Sequence, residues 1–275
     1  MNAGVRPRKR FGQHFLVRPE IAQRIVALAE IGDDDAILEI GPGRGALSET
    51  LADRARQLVL IEIDRDLVKR LRESFSSRAN VRIVEGDVLK MNLVDELGGV
   101  APVTVVANLP YNISTPLISR FVEHPRLYRR LVLMLQWEVA QRICADPGGR
   151  DYGALSVMVQ LSARARVALR VPPSAFRPQP KVDSAVIVIE PFANPTLGDD
   201  ERAVVRRITR ALFTQRRKQL GNLLRRLTDA PIEILQSLDI DPKRRPETLS
   251  PDDFVRLAHA LAPQPAAAPA PTRNS

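Results

Sequence analysis

Cysteine, histidine and long apolar runs are scarce in this sequence. With one cysteine, Cys144, the chain of 275 residues cannot build an internal disulfide framework, and a reducing compartment is expected. Its three histidines, His14, His124 and His259, are scattered without the spacing of metal ligands, so we expect no metal site. No apolar stretch approaches the roughly 20 residues that span a bilayer, and the basic segment 1–16 lacks the apolar core of a signal peptide. The sequence therefore predicts a cytoplasmic protein that does not bind a membrane.

Acidic residues are also in deficit, 32 against 41 basic residues, which gives a net charge of +9. The basic excess is concentrated near the start of the chain and between residues 201 and 226. The cations of these two segments are Arg6, Arg8, Lys9 and Arg10, and then Arg202, Arg206, Arg207, Arg210, Arg216, Arg217, Lys218, Arg225 and Arg226. Such clustering favours a polyanionic partner, because each neutralised phosphate releases a counterion. A solvated helix face is the alternative.

Short apolar runs rich in β-branched residues predict buried parallel strands. Five such runs are 36–40 (AILEI), 58–63 (LVLIEI), 81–84 (VRIV), 103–107 (VTVVA) and 131–135 (LVLML). Segments with helical spacing separate them, and two later runs, RARVALRV and AVIVIEP, predict two further strands in a hairpin-like addition. The alternation predicts a doubly wound, mostly parallel seven-stranded α/β sheet.

The chain is predicted to divide into a main domain at 1–195, with a basic N-terminal arm at 1–18, and a small all-helical domain at 196–262. The last segment, 263–275, is rich in proline and alanine and poor in large apolar residues, so we predict a disordered tail.

A glycine-rich loop follows the first predicted strand in EIGPGRGALSETL. Gly41, Gly43 and Gly45 let the backbone pass close to a ligand just before a helix begins. With Ala46 as its last position and Glu62 about 20 residues on, the loop also fits a dinucleotide-binding pattern. A tight turn without a ligand is the remaining alternative.

Two acids end the next predicted strands. Glu62 could accept hydrogen bonds from both hydroxyls of a ribose, and Asp87 could accept one from an adenine amino group. Ligands of such sheets lie at the carboxyl ends of the strands, so this pair favours an adenosine compound at that edge. A surface residue or a helix cap is the alternative for either acid alone.

Together with the turn Asn108-Leu109-Pro110-Tyr111 after the fourth predicted strand, these features resemble the S-adenosylmethionine-dependent methyltransferases that modify amino nitrogens. The amide oxygen of Asn108 and a main-chain carbonyl of Leu109 or Pro110 could accept both hydrogens of an adenine amino group, and Tyr111 could stack on the base. Such positioning needs no general base and no metal. Phe176 is our candidate for a second aromatic wall, although a core phenylalanine is the alternative.

Longer motifs make the resemblance more specific and point to one methyltransferase family. They are KRFGQHFL, LEIGPGRGALSETL, IEIDRDL, GDVL, NLPYNISTPLI, MLQWEVAQRICADPGGRDYGALSVMVQ, VPPSAFRPQPKVDSAV, LFTQRRKQLGNLL and PETLSPDDFVRLAHAL. The chain is similar over nearly its whole length to the ribosomal RNA small-subunit adenine dimethyltransferases, the KsgA/RsmA group, to which the macrolide-resistance Erm enzymes are related. The resemblance implies a Rossmann-like methyltransferase that dimethylates two adjacent adenosines in a hairpin loop near the 3′ end of small-subunit ribosomal RNA.

The resemblance also implies roles for individual residues. The implied contacts of the methyl donor are His14, Leu16, Gly41, Gly43, Glu62, Asp87 and Asn108, and the implied contacts of RNA are Arg8, Lys9, Arg10 and a helix that carries Arg216, Arg217 and Lys218. This chain has His14 where many members have asparagine. The implied partner is ribosomal RNA within an assembling 30S particle, bound by a monomer that takes part in subunit biogenesis.

Two other functions remain open at this point. One is methylation of large-subunit RNA, as in the Erm enzymes, and the other is a nicotinamide-dependent oxidoreductase on a similar sheet. The oxidoreductase leaves the NLPY turn and the basic segments without a role.

Overall fold

The computed structural model describes residues 13–194 and 197–261, which form two compact units. The larger unit contains residues 13–146 and 151–194, and the smaller contains residues 147–150 and 197–261. The sequence did not predict that residues 147–150 belong with the helical segment. The predicted domain boundary at 195 and 196, most of the basic arm and the tail lie outside the described residues.

The described strands form one sheet of seven strands and one of two. In chain order they are Phe15–Leu16 (β1), Ala36–Ile40 (β2), Gln57–Glu62 (β3), Val81–Glu85 (β4), Val103–Asn108 (β5), Tyr128–Gln136 (β6), Ala163–Val171 (β7), Phe176–Arg177 (β8) and Ser184–Pro191 (β9). The large sheet has the order β4-β3-β2-β5-β6-β9-β7. Its first five strands are parallel, whereas β9 runs antiparallel to both β6 and β7. The predicted mostly parallel seven-stranded sheet is confirmed.

Helices connect these strands in the larger unit. They are Pro19–Leu28 (α1), Ser48–Arg54 (α2), Arg65–Ser74 (α3), Leu93–Glu96 (α4), Ser114–Glu123 (α5), Trp137–Ile143 (α6) and Ala154–Gln160 (α7). In α3 the side chain of Asp64 caps the first turn by accepting a hydrogen bond from Asp66 N–H, and Leu67 and Leu71 are buried on one face. Apolar side chains of α1, α2 and several strands pack together in a core cluster, and each fully buried Leu or Ile contributes about 1.5–3 kcal/mol.

The order of strands reverses at the middle of the sheet. From β2 the chain continues through β3 to β4 on one side, and then returns to β5 and β6 on the other. At such a point the connections leave the carboxyl ends of neighbouring strands in opposite directions, which opens a crevice. The ends of β2 and β5, Ile40 and Asn108, therefore border the expected ligand site.

A small sheet that the sequence did not reveal closes over this crevice. Its strands β1 and β8 pair antiparallel, with Phe15 opposite Arg177 and Leu16 opposite Phe176. Strands of two residues each are too short to show alternation, so no periodic signal was available. The pairing brings the segment that begins at Gln13 to the carboxyl edge of the large sheet.

The regular structure of the smaller unit is helical throughout its described part. Its helices are Asp199–Phe213 (α8), Leu220–Leu224 (α9), Pro231–Ser237 (α10) and Pro251–Leu261 (α11). The face of α8 that carries Val205, Ile208 and Leu212 is buried, and the rings of Phe213 and Phe254 stack with centroids 5.6 Å apart. Within the described ranges of both units, no helix is long and apolar enough to cross a membrane.

Candidate functional site

A cavity of about 440 Å³ lies at the carboxyl edge of the large sheet. Every predicted donor contact lines it, together with three residues of the NLPY turn. These are His14, Leu16, Gly41, Gly43, Glu62, Asp87 and Asn108, and then Leu109, Pro110 and Tyr111. Residues from separate segments of the sequence thus share one cavity large enough for a small organic ligand.

The glycine loop forms one wall of the cavity. Gly41 and Gly43 have φ angles of +67° and +60°, which L side chains rarely adopt. A Cβ atom at Gly43 would also lie 3.2 Å from the ring of Phe15, which comes from β1. The loop is tied to the sheet by a 2.9 Å hydrogen bond from Gly41 N–H to the carbonyl of Ile61. Glycine is required at both positions for the wall to take this shape.

The carboxylate of Glu62 joins the glycine loop to the end of β3. Oε2 accepts a hydrogen bond from Gly43 N–H at 3.1 Å, and Oε1 accepts from Ile63 N–H at 2.9 Å and Asp64 N–H at 3.0 Å. Burial raises the pKa of Glu62, although these amide bonds oppose the shift. A carboxylate accepts about four hydrogen bonds, so Glu62 has capacity for one ribose hydroxyl beside its three amides.

Asp87 follows β4 and is half-buried in the cavity wall. Its Oδ1 accepts a hydrogen bond from Leu89 N–H at 3.0 Å, which closes a local turn. Since Oδ1 is used within the turn, Oδ2 is the oxygen that we expect a ligand to meet.

The NLPY turn forms the opposite wall. Nδ2 of Asn108 donates to the carbonyl of His14 at 3.0 Å, so Oδ1 is the atom of this amide that is left to accept. Leu109 N–H donates to the carbonyl of Met134 on β6 at 3.0 Å, and the carbonyl of Pro110 accepts from Ile113 N–H at 3.1 Å. These bonds hold the turn by its backbone and leave the Asn108 oxygen and the Leu109 carbonyl as acceptors.

The side chain of Tyr111 is held through its hydroxyl and through one face of its ring. Its hydroxyl shares a 2.8 Å hydrogen bond with Ser184 Oγ on β9, and its ring stacks on His14 with centroids 5.4 Å apart and an interplanar angle of 27°. Nδ1–H of His14 donates in turn to the carbonyl of Pro178 at 2.7 Å. Burial raises the pKa of the Tyr111 phenol, so the hydroxyl stays neutral. One face of the ring is covered by His14, and a planar ligand would need the other.

Sequence reasoning missed Glu39, which also lines the cavity. It lies within the buried strand β2, is 2% exposed, and burial raises its pKa to about 8. Its Oε2 makes no hydrogen bond of ordinary geometry within the described residues, and the nearby hydroxyl of Ser48 offsets the rise in pKa only in part. A lone acid in the apolar run AILEI was the available signal, because a buried carboxylate without a partner is costly.

Phe176 is not brought to the cavity. Its ring is 1% exposed and belongs to the hydrophobic core beneath β8. In this structure the ring presents no face to a base, as expected for the alternative of a core phenylalanine, and a role as an aromatic wall stays a prediction. His14 stacks on Tyr111 instead.

The predicted RNA contacts lie elsewhere. Arg8, Lys9 and Arg10 fall outside the described residues. The expectation of a helix at the other three cations was wrong, because Arg216, Arg217 and Lys218 lie in the turn between the end of α8 and the start of α9. Within that turn Arg217 and Lys218 are exposed, whereas a nitrogen of Arg216 donates to the carbonyl of Arg150 at 2.9 Å. Nor do the described residues contain a cluster of three or more His, Cys, Asp or Glu that could hold a metal ion.

Sequence comparison adds information independent of this geometry. A family model described as ribosomal RNA adenine dimethylase matches residues 4–263. The ribosomal RNA small subunit methyltransferase A of Geobacter sulfurreducens is 44% identical over 265 residues, which are 94% of this chain and 96% of that protein. The protein of the same name from Pseudomonas aeruginosa is 42% identical over 260 residues, with 94% and 96% covered.

Two solved structures are similar over both units. A dimethyladenosine transferase from Plasmodium falciparum gives a TM-score of 0.76 at 28% identity and covers 89% of this chain and 96% of its own. The 23S rRNA methyltransferase ErmE gives a TM-score of 0.69 at 28% identity, with 90% and 99% covered. Each of these alignments covers more of this chain than the larger unit contains. The similarity therefore extends into the helical unit.

Proposed function

Because this chain belongs to the ribosomal RNA adenine dimethylase family, we propose that it transfers methyl groups from S-adenosylmethionine to the amino groups of two adjacent adenosines in small-subunit ribosomal RNA. By the resemblance in sequence, these adenosines belong to a hairpin loop near the 3′ end. The observation that carries the proposal is that the glycine loop and the NLPY turn line one cavity at the point where the strand order reverses.

The cavity fits a methyl donor with an adenosine half and a cationic half. Glu62 ends β3, Asp87 follows the neighbouring strand β4, and the two offer carboxylate oxygens to a ribose hydroxyl and to an adenine amino group. A nearby positive charge would favour the ionised form of the buried Glu39 carboxyl group, which could then pair with a cationic group of S-adenosylmethionine. When bound, the donor supplies an electrophilic methyl carbon on a sulfonium, and this chemistry needs no metal.

The NLPY turn supports the acceptor side. The lone pair of an adenine amino nitrogen is delocalised into the ring, so the nitrogen attacks only when its hydrogens are held out of the plane. We assign this task to Oδ1 of Asn108 and the carbonyl of Leu109, since the carbonyl of Pro110 already accepts from Ile113 N–H. These acceptors strengthen their bonds as the nitrogen gains positive charge, which stabilises the transition state. Tyr111 stacks on the base with the ring face that His14 leaves open.

RNA binding by cationic side chains completes the proposal. Arg216, Arg217 and Lys218, with Arg8, Lys9 and Arg10, would contact phosphates and so position the substrate, whereas the cavity reads the base. The proposed setting is a monomer acting in the cytoplasm on an assembling small ribosomal subunit, where it also assists maturation.

Methylation of large-subunit RNA is the second candidate function. The likeness to ErmE favours it, because that protein is named a 23S rRNA methyltransferase. The relatives at 42–44% identity are named small subunit methyltransferases, and their higher identity favours our first candidate. The nicotinamide-dependent oxidoreductase has no support from any of these comparisons.

An assay with both subunits separates the candidates. Purified full-length protein would be mixed with labelled S-adenosylmethionine and either small or large ribosomal subunits that lack adenine dimethylation. We expect the label in small-subunit RNA alone, and mass spectrometry of the digested RNA should show two adjacent dimethyladenosines. Label confined to large-subunit RNA would establish the second candidate, and binding of NADH without binding of the donor would refute both.

A further inference from the structure

An arginine near the end of β7 is fixed from two sides. The Cζ atom of Arg170 lies over the ring of Trp137, 4.7 Å from its centroid. Nε and Nη2 of the same guanidinium donate to Oδ2 of Asp183 at 2.8 Å and 2.5 Å. A cation over an indole ring and a charge-assisted pair both restrict the rotamers of the long side chain. The guanidinium plane is thus held in place before any ligand arrives.

The backbone puts this cluster next to the tyrosine of the NLPY turn. Trp137 N–H donates to the carbonyl of Asp183 at 3.0 Å, and the next residue along the chain, Ser184, is the one that shares a hydrogen bond with the hydroxyl of Tyr111. Consecutive Cα atoms are about 3.8 Å apart. Trp137 also directly follows β6, whose Met134 pairs with Asn108. The Trp137–Arg170 pair therefore stands at the same edge as the cavity, beside the start of β9.

The pair remains accessible and has hydrogen-bonding capacity to spare. The side chain of Arg170 is 62% exposed, and its bonds to Asp183 use two of the five N–H donors of a guanidinium. Exposed ion pairs contribute little to stability, so folding alone gives no reason to fix this arginine. Lys181 is exposed two residues before Asp183 and adds positive charge beside it.

We propose that Arg170, held by Trp137 and Asp183, is a stacking platform for an RNA base that flanks the target adenosine. This inference rests on the proposed function, because it takes single-stranded RNA as the ligand. Proteins that read unpaired RNA stack its bases on aromatic rings or on guanidinium planes. A base that enters the cavity leaves its own stack, and its neighbour then needs a new one. The platform is where that neighbour would lie.

Fluorescence can report a base bound at Arg170, because Trp137 is the single tryptophan of the chain and the source of its indole emission. The protein would be titrated with the substrate hairpin, and with the same hairpin in which the nucleotide that flanks the target is abasic. We expect the intact hairpin to quench the emission and the abasic hairpin to quench it much less. We also expect KM to be about tenfold higher for the abasic hairpin, the size of effect found for one stacked base.

Arg170→Lys keeps the charge and removes the plane, so it isolates stacking from charge. This variant should raise KM for the intact hairpin about tenfold at constant kcat, and it should bind intact and abasic hairpins equally well. Arg166→Lys, the same change elsewhere on the same strand, is the matched control and should preserve the difference between the hairpins. The thermal midpoints of both variants should match that of the wild type.

The outcomes separate this inference from the proposed function. If the wild type methylates the hairpin but Arg170→Lys still discriminates between intact and abasic RNA, the platform is refuted and the function stands. Emission that stays constant while labelled RNA binds would refute the platform in the same way. If the protein neither binds nor methylates small-subunit RNA, both proposals fall together.

Discussion

The cavity at the strand ends and the cationic turn at residues 214–218 differ in how firmly their polar side chains are held. In the cavity three polar side chains are held by hydrogen bonds: Glu62 by three amides, Asn108 by the carbonyl of His14, and Tyr111 by Ser184. In the turn, Arg217 and Lys218 extend into solvent. Fixed dipoles stabilise a transition state because they need no reorganisation, whereas exposed cations bind a polyanion by releasing its counterions.

The largest expected effect lies in the cavity. Asn108→Ala removes the side-chain acceptor of the proposed chemistry, and we expect kcat to fall about 10²–10³-fold while Kd for S-adenosylmethionine stays close to that of the wild type. Single-turnover methylation and calorimetric titration of the donor would measure the two quantities. Asn222→Ala, which removes an exposed amide of the helical unit, is the control. Full turnover in Asn108→Ala would remove the residue from the mechanism.

Substitutions in the cationic turn should weaken binding and leave kcat unchanged, the reverse of the effect expected for Asn108→Ala. Replacing Arg216, Arg217 and Lys218 with alanine removes about three phosphate contacts, so the slope of log K against log salt should fall by about 2. At about 0.1 M salt this corresponds to roughly 100-fold weaker RNA binding, with kcat at saturating RNA unchanged. Fluorescence anisotropy of labelled RNA at several salt concentrations would give the slope.

A variant with Arg225→Ala and Arg226→Ala is the matched control, because it removes two exposed cations of the same unit. It should leave most of the slope in place. Losses in proportion to the charges removed, three against two, would mean that the turn acts only through net charge and has no specific role in RNA binding.

How far the sequence predicted the two regions follows from the physics of each. Buried parallel strands leave continuous apolar runs, so five strands of the sheet were predicted close to their observed bounds. Parallel strands bring their carboxyl ends to one edge, which is why Gly41, Glu62, Asp87 and Asn108 could be predicted to meet.

The remaining features depend on contacts between distant residues. The pairing of β1 with β8 joins two-residue strands that lie far apart in the sequence, as Phe15 opposite Arg177 shows, and no local pattern encodes it. The helix expected at Arg216 proved to be a turn, because a run of good helix-forming residues does not specify where a helix ends. The sequence shows Glu39 as a lone acid in an apolar run. That its Oε2 makes no ordinary hydrogen bond within the described residues can be seen only in the structure.

Glu39 in the cavity wall should make the stability of the protein depend on pH. Its folded pKa of about 8 lies above the ordinary 4.5, so the unfolded chain releases this proton first as pH rises. Stability should therefore be highest below the unfolded pKa and fall between about pH 5 and 8, by up to about 1.4 kcal/mol per pH unit. Glu39→Gln cannot titrate, so we expect the slope from this group to vanish.

Urea denaturation at several pH values across this interval would measure the effect. The free energy of unfolding of Glu39→Gln minus that of the wild type should grow with pH. Glu49→Gln, an exposed change of the same kind on α2, is the control variant. A constant difference for Glu39→Gln as well would mean that Glu39 is ionised in the folded protein at neutral pH.

The smallest expected effect separates the ring of Tyr111 from its hydroxyl. Tyr111→Phe keeps the stack on His14 and loses the bond to Ser184, a net contribution of about 0.5–1.5 kcal/mol, so kcat/KM should fall by about two- to tenfold. Tyr111→Ala also removes the stacking surface and should lose considerably more. Because burial keeps the phenol neutral, Tyr111→Phe should not alter the pH profile of kcat. If Phe and Ala proved equally harmful, the hydroxyl itself would take part in the reaction, and the cavity would no longer act by position alone.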